Sequence, residues 1–97
     1  MKKNELEFET ENLINILTKI SNKNQMFDFL LDILSEKEIL KLSEKLNIAK
    51  MLEQWISYSR IEKKTWMSSA TIAKISKSLN WENLWLKNAI NILNWEY

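Results

Sequence analysis

Residues 56–79 of the chain read ISYSRIEKKTWMSSATIAKISKSL and predict two short helices that meet at a tight corner. The first helix should cover about residues 58–64, and the second should cover residues 69–80 with Ser68 as its N-cap. The corner lies at Trp66. Such a corner usually needs a positive φ, which glycine adopts freely and other residues adopt at a cost. A tryptophan at this position is therefore unexpected.

Composition predicts one small all-α domain over residues 1–97. The 97 residues suffice for a single core, and the chain contains no glycine, proline or valine, so strand and turn signals are almost absent. It also contains no cysteine or histidine, which excludes disulfides, thiolate nucleophiles, Cys/His zinc sites and imidazole bases. No apolar run reaches the ~20 residues of a membrane span, and the start lacks a signal peptide's apolar core. We expect a cytoplasmic protein without a metal site.

Apolar spacing along the chain predicts about six helices with short joints. A leading helix covers residues 9–21, and a second, around residues 27–34, is apolar on nearly all sides. Ser35 and Glu38 form an S-x-x-E capping box that opens a long helix ending near Gln54. The two corner helices form a helix-turn-helix over residues 57–80, and a last helix covers residues 82–93.

The apolar surplus of residues 27–34 and 84–93 predicts that the chain forms a homodimer, because a single short chain would leave a large patch exposed. A compact six-helix monomer is the alternative.

Positive charge is concentrated on the two corner helices, although the whole chain carries only +1. Residues 57–80 hold five basic residues against one acid, Glu62. A local basic surface is what DNA phosphates require, since each neutralised phosphate releases condensed counterions. A solvated lysine face is the alternative interpretation of the same pattern.

The corner segment fits a helix-turn-helix template, with Ile61, Met67, Ile72 and Ile75 placed to bury the two helices against each other. In such modules the second helix enters the major groove with its first turns nearest the base edges, and its N-terminus favours a phosphate. The residues predicted to contact DNA are Ser57, Tyr58, Arg60, Lys63, Lys64, Ser68, Ser69, Ala70, Thr71, Lys74 and Lys77. None of the base-facing residues makes the Arg–guanine or Asn–adenine pairs, so DNA shape is expected to contribute to specificity.

Three segments together resemble the tryptophan-repressor-like family of bacterial regulators, and in particular its smaller YerC/YecD-type members. They are the capping box at residues 35–38, LNIAKMLEQWISYSRIEKKT at 46–65 and MSSATIAKISKSLN at 67–80. The resemblance covers about residues 26–93. It implies an intertwined all-α homodimer that presents two helix-turn-helix heads to double-stranded DNA.

The family pattern has glycine where this chain has Trp55 and Trp66, and the pairs at residues 80–81 and 94–95 look like Asn-Gly turns. Some bacteria read the UGA codon as glycine, whereas other translation tables read it as tryptophan. We therefore hypothesise that several tryptophans are glycines in the living protein. An organism that reads UGA as tryptophan is the alternative. The positions concerned are Trp55, Trp66, Trp81, Trp85 and Trp95.

The resemblance also implies a corepressor pocket, in which two arginines of the tryptophan repressor sandwich the ring of the bound amino acid. Lys45 and Lys74 occupy the matching positions here, and Thr71 matches the family's threonine. Lysine lacks the planar fork that stacks on a ring and grips a carboxylate. We expect a different small ligand or none, with Lys74 serving a phosphate instead.

The pattern favours a sequence-specific DNA-binding transcriptional regulator, expected to be a repressor, that reads the major groove with residues 68–80. A helical protein–protein interaction module without DNA binding is the alternative. We expect no catalysis, because the carboxylates are scattered over helix faces and no Gly-rich phosphate loop exists. The operator, the regulated genes and any effector stay open.

Overall fold

The computed structural model describes residues 1–82 and 84–95, and within them every regular element is helical. The all-α prediction is confirmed. The α-helices are α1 (Lys3–Glu9), α2 (Glu11–Lys19), α3 (Lys23–Ile33), α4 (Glu36–Glu53), α5 (Tyr58–Thr65), α6 (Ser69–Lys77) and α7 (Leu84–Trp95), with a π-helical turn at Ser78–Glu82. Contacts divide the chain into a first unit, residues 1–39, and a second unit, residues 40–97.

The leading helix predicted for residues 9–21 is wrong in its bounds, because two helices, α1 and α2, occupy this region and are divided at Thr10. Thr10 has φ −102° and ψ 6°, outside the helical range. Its hydroxyl donates to the Leu6 carbonyl oxygen at 2.7 Å. A threonine hydroxyl that bonds its own preceding turn competes with the helix ladder and favours a bend.

The helix predicted for residues 69–80 is shorter than expected, because α6 ends at Lys77 and the chain continues as the π-helical turn. No glycine or proline follows α6, so nothing in the sequence forces the chain out of a helical path. The turn also contains Trp81, where the sequence predicted an Asn-Gly type of turn with left-handed backbone at residue 81. That prediction is wrong, since a π-turn is a widened right-handed helix.

The capping box at the start of α4 is confirmed. The Ser35 backbone N–H donates to the Glu38 carboxylate at 3.0 Å, and the Glu38 backbone N–H donates to the Ser35 hydroxyl at 3.2 Å. The backbone N–H of Ser35, together with its hydroxyl, holds the pKa of Glu38 below its ordinary value. Two backbone donors at this end of the helix are thereby satisfied.

The first unit buries no side chain fully in α1, α2 or α3. Phe8 and Phe27 remain 76% and 56% exposed, and Leu6, Leu13, Ile14, Ile16, Leu31 and Ile33 are also exposed. Asn22 caps α3 by accepting the Gln25 N–H at 3.0 Å. The helices of this unit are therefore formed locally, and their apolar surface is left largely uncovered within one chain.

The second unit contains the core. Its buried residues are Ile48, Ala49, Ile61, Ile72, Ile75, Leu79 and Ile90, with Met51, Leu52, Ile56, Met67 and Leu86 packed against them. The prediction that Ile61, Ile72 and Ile75 are buried with Met67 beside them is thus confirmed. Each fully buried isoleucine contributes about 1.5–3 kcal/mol, so this cluster fixes α5 and α6 together. Across residues 1–82 and 84–95, no helix is long and apolar enough to cross a lipid bilayer.

Candidate nucleic-acid interface

The corner between α5 and α6 is held by side chain to backbone hydrogen bonds on both sides of Trp66. The Thr65 hydroxyl donates to the Ile61 carbonyl oxygen at 2.8 Å and accepts the Met67 N–H at 3.3 Å. Trp66 itself adopts φ 61° and ψ 14°, the left-handed conformation that the sequence predicted. Its side chain is 91% exposed, so the indole contributes almost no packing to the corner.

Both helices of the pair begin at serine caps. Ser57 accepts the Arg60 N–H at 3.3 Å at the start of α5, and Ser68 accepts the Thr71 N–H at 3.2 Å at the start of α6. The Ser68 and Thr71 hydroxyls also bond each other at 3.0 Å. The predicted cap at Ser68 is confirmed.

All residues that we predicted to contact DNA are exposed, whereas Ile72 and Ile75 of α6 are buried. Arg60, Lys63 and Lys64 lie on α5, and Lys74 and Lys77 lie on α6, while the single acid Glu62 is half-buried. The geometry therefore places every member of the predicted set on α5, on α6 or at the N-cap of one of them, and the two helices share one core. Exposure is what contacts with phosphates and bases require.

The end of α4, just before this pair, forms a complete Schellman motif. The Ile56 N–H donates to the Met51 carbonyl oxygen and the Trp55 N–H donates to the Leu52 carbonyl oxygen, both at 3.1 Å. The motif places Trp55 at the left-handed position that glycine usually occupies, with φ 61°. Its side chain is 93% exposed.

A cavity of about 280 Å³ lies between α4 and α6 and brings together the three residues predicted to hold a small ligand, Lys45, Thr71 and Lys74. Its other lining residues are Lys41, Glu44, Ile48, Met67, Ile75 and Ser78. The sequence prediction missed Lys41, Glu44 and Ser78. The signal for two of them was available, because Lys41, Glu44, Lys45 and Ile48 share one face of α4 at helical spacing.

The cavity carries several ammonium groups, among them those of Lys45 and Lys74, and an ammonium is a compact charge that does not stack on a ring. Among the residues described by the structure, no group of three or more His, Cys, Asp or Glu side chains is placed to hold a metal ion.

Comparison with known proteins identifies relatives over almost the whole chain. A family model described as Trp repressor protein matches residues 9–94. The uncharacterized protein YerC from Bacillus subtilis (strain 168) is 31% identical over 75 residues, which is 77% of this chain and 72% of YerC. The crystal structure of a TrpR like protein from Eubacterium eligens ATCC 27750 superposes with a TM-score of 0.85 at 31% identity, covering 95% of this chain and 96% of that one. A second crystal structure, from Staphylococcus aureus, gives a TM-score of 0.84 at 28% identity, covering 97% and 95%.

Proposed function

Because this chain belongs to the Trp repressor family, we propose that it is a regulator of transcription that binds double-stranded DNA with α6 in the major groove. The observation that carries the proposal is the exposed cluster of five cations on α5 and α6, the pair of helices that forms the helix-turn-helix. These cations face solvent with only Glu62 to oppose them in the segment. Such a surface suits a polyanion with regularly spaced phosphates.

Within this proposal the contacts divide by position along α6. The first turn, with Ser69, Ala70 and Thr71, approaches the base edges, since the N-terminal residues of a recognition helix lie deepest in the groove. Lys74 and Lys77 lie further along and bind phosphate oxygens. Ser57, Tyr58, Arg60, Lys63 and Lys64 bind the phosphates beside the groove from α5. Phosphate contacts set the register of the protein, whereas base contacts select the sequence.

A homodimer is the second part of the proposal. Two copies of α6 related by a two-fold axis would read half-sites about 34–36 Å apart, one turn of B-DNA. The exposed apolar side chains support it: the first unit leaves Phe8 and Phe27 uncovered, and in the second unit Leu42 and Leu46 of α4 are exposed although the sequence pattern places them on an apolar face. A DNA-bound role implies action in the cytoplasm of a bacterium.

The third part concerns Trp55 and Trp66, which we propose are glycines in the organism, encoded by UGA. Among the described residues these two are the only ones with positive φ, and both side chains are more than nine-tenths exposed. Trp85 is also 80% exposed, but it lies on α7, where either residue is compatible with the backbone. The side chains of Trp81 and Trp95 lie outside the described part of the structure.

The cavity between α4 and α6 completes the proposal. We propose that it does not bind tryptophan, because Lys45 and Lys74 cannot grip the amino acid's carboxylate in a bidentate manner. DNA binding is then independent of tryptophan, and any effector of the cavity is a different small molecule.

The test is fluorescence anisotropy on labelled duplex DNA over a salt titration, with the parent protein and with Lys74→Ala. We expect the logarithm of the binding constant to fall linearly with the logarithm of salt concentration, and the slope to decrease by about 1 in the variant. Lys19→Ala, an exposed lysine at the end of α2, is the matched control and should bind like the parent. Adding tryptophan should change neither curve.

The outcomes separate the residue assignment from the function. If Lys74→Ala binds with the parent's affinity and slope, Lys74 does not contact phosphate. If the parent fails to bind any duplex at low salt, the regulator proposal is wrong. The exposed apolar side chains then favour the second candidate, a helical module that binds another protein.

A further inference from the structure

The outward face of α6 carries methyl groups in its N-terminal half and ammonium groups in its C-terminal half. Ala70, Ala73, Lys74 and Lys77 are spaced i, i+3, i+4 and i+7 and therefore share one face of the helix. All four are exposed. At 100° per residue this face lies opposite the buried residues Ile72 and Ile75, and Ala70 is near its centre. When α6 enters a groove with its N-terminal half first, the two alanines therefore reach the groove before the lysines do.

Most of the side chains that read bases are missing from this helix. The sequence of α6, SATIAKISK, contains no Arg, Asn, Gln, Asp or Glu, so it lacks the guanidinium, amide and carboxylate groups that pair with guanine, adenine and cytosine. Its two lysines can also pair with guanine, but the proposed function assigns them to phosphates. The hydroxyls of Ser68 and Thr71 are engaged with each other at 3.0 Å and in capping α6. The Ser69 hydroxyl is exposed and can bond to any of several bases, so the exposed methyl groups of Ala70 and Ala73 are the feature of the first two turns that discriminates by apolar contact.

One base presents a matching group in the major groove, namely the C5-methyl of thymine. We propose that α6 reads thymine through apolar contacts of Ala70 and Ala73 with thymine methyl groups. This inference rests on the proposed DNA binding and adds the base to which the helix responds. Water is excluded between two methyl groups in contact, and the small side chain of alanine lets the helix backbone come close enough for that contact.

A simpler role for the two alanines is also testable. Alanine has the highest helix propensity, and a small side chain lets α6 approach the groove without any attraction to a particular base. In that case a protein with Ala70 and Ala73 would bind thymine and uracil equally, because the two bases differ only in the C5-methyl group.

The experiment begins with in vitro selection of a tightly bound duplex from a randomised library. Thymidines of the selected duplex are then replaced one at a time by deoxyuridine, and the dissociation constant is measured by anisotropy. Loss of one buried methyl corresponds to about 0.8 kcal/mol, so we expect binding to weaken about fourfold at one or two positions of each half-site. The protein is unchanged in these measurements, so folding does not enter.

Variants then assign the contact to a side chain. Ala70→Gly and Ala73→Gly each remove one methyl group from the protein. Each variant should therefore abolish the uracil effect, meaning the loss of affinity caused by deoxyuridine, at the thymidine that the substituted residue contacts. Ala89→Gly is the matched control, because Ala89 is exposed within α7 and the substitution carries the same helix penalty of about 1 kcal/mol. This control should retain the full uracil effect.

Failure of this inference and failure of the proposed function give different results. A selected duplex that binds tightly but is indifferent to uracil at every position overturns the thymine proposal and leaves DNA binding intact. An uracil effect that persists in both alanine variants overturns the assignment to α6. If selection yields no duplex that the protein binds above the unselected pool, the proposed function itself fails.

Discussion

At the scale of single residues, Trp55 and Trp66 place the largest side chain where the backbone calls for the smallest. Each adopts φ 61° and leaves its indole in solvent. A non-glycine residue in this conformation costs about 1–2 kcal/mol, because Cβ approaches the following carbonyl oxygen. Neither tryptophan offsets this strain by burying its side chain. The left-handed backbone at both positions therefore favours glycine over tryptophan.

This strain leads to a prediction at Trp66. The substitution Trp66→Gly should increase the free energy of unfolding by about 1 kcal/mol, measured by urea denaturation at constant protein concentration. The gain arises because glycine adopts the left-handed conformation without the Cβ clash. A gain of this sign is rare for the loss of a large side chain, so it reports on the backbone rather than on packing.

Trp85 supplies the matched control, because it is also largely exposed but lies within α7. Trp85→Gly should lower the free energy of unfolding by about 0.5 kcal/mol, the difference in helix propensity. If both substitutions change stability in the same direction, the strain at Trp66 is not what the dihedral angles indicate. Intact mass of the protein from its natural source then tests the recoding directly, since a mass matching five tryptophans contradicts it.

At the scale of elements, the capping box of α4 links helix formation to pH. The Glu38 carboxylate accepts the Ser35 N–H, and this bond lowers the pKa of Glu38 in the folded state. The unfolded chain therefore binds the proton more readily. The stabilisation is fully present above the pKa of the unfolded state and is lost as the pH falls through the lower pKa of the folded state.

The corresponding prediction concerns Glu38→Gln. Thermal unfolding followed between neutral pH and pH 3 should show a smaller loss of stability on acidification in the variant than in the parent. Glutamine still reaches the Ser35 N–H but does not titrate, so only the pH-dependent part is removed. Ser35→Ala is the matched control. It removes the hydroxyl that accepts the Glu38 N–H, but it keeps the backbone N–H that donates to the Glu38 carboxylate. A parent and a Glu38→Gln variant with parallel pH profiles would show that the capping box does not couple to pH.

The elements also show how far the sequence determines the fold. Apolar spacing and serine caps located α4, α5 and the start of α6 closely, because their buried isoleucines and caps act through local patterns. The bounds of α3 and α7 were less accurate, since α3 begins at Lys23 rather than near residue 27 and α7 covers Leu84–Trp95 rather than residues 82–93. The break at Thr10 and the π-turn at Ser78–Glu82 were not predicted. At both places the backbone can form either of two hydrogen-bond patterns of nearly equal energy. The sequence has no glycine or proline that would indicate which pattern forms.

For the site, the sequence located the cations and the buried face of α6, since both follow from helical periodicity around Ile72 and Ile75. It did not locate the whole cavity between α4 and α6. The lining residues Lys41 and Ser78 come from helices far apart in the sequence, so only the packing of the second unit brings them together. Whether any of these residues contacts DNA or a ligand stays a prediction.

At the scale of the whole molecule, the division of apolar surface is the main observation. Among the described residues, the seven that form the buried core lie in the second unit, while large apolar side chains of α1, α2 and α3 are exposed. The last helix shows the same pattern, because Ile90 is buried but Ile92 is 61% exposed. Soluble monomers seldom expose this much apolar surface in one stretch of chain. The proposed homodimer would cover this apolar surface and would also double the number of α6 helices offered to DNA.

The dimer can be tested with one substitution and one control on the same helix. Phe27→Lys places a charge on an exposed apolar position of α3, and it should shift the protein from dimer to monomer in sedimentation equilibrium, because a buried unpaired ammonium opposes association. Asn24→Lys adds the same charge at an exposed polar position of α3 and should leave the dimer intact. Affinity for a duplex with two half-sites should fall with the first variant and not with the second. A parent that sediments as a monomer at all concentrations contradicts the dimer, and the apolar surface of the first unit must then bind a different protein.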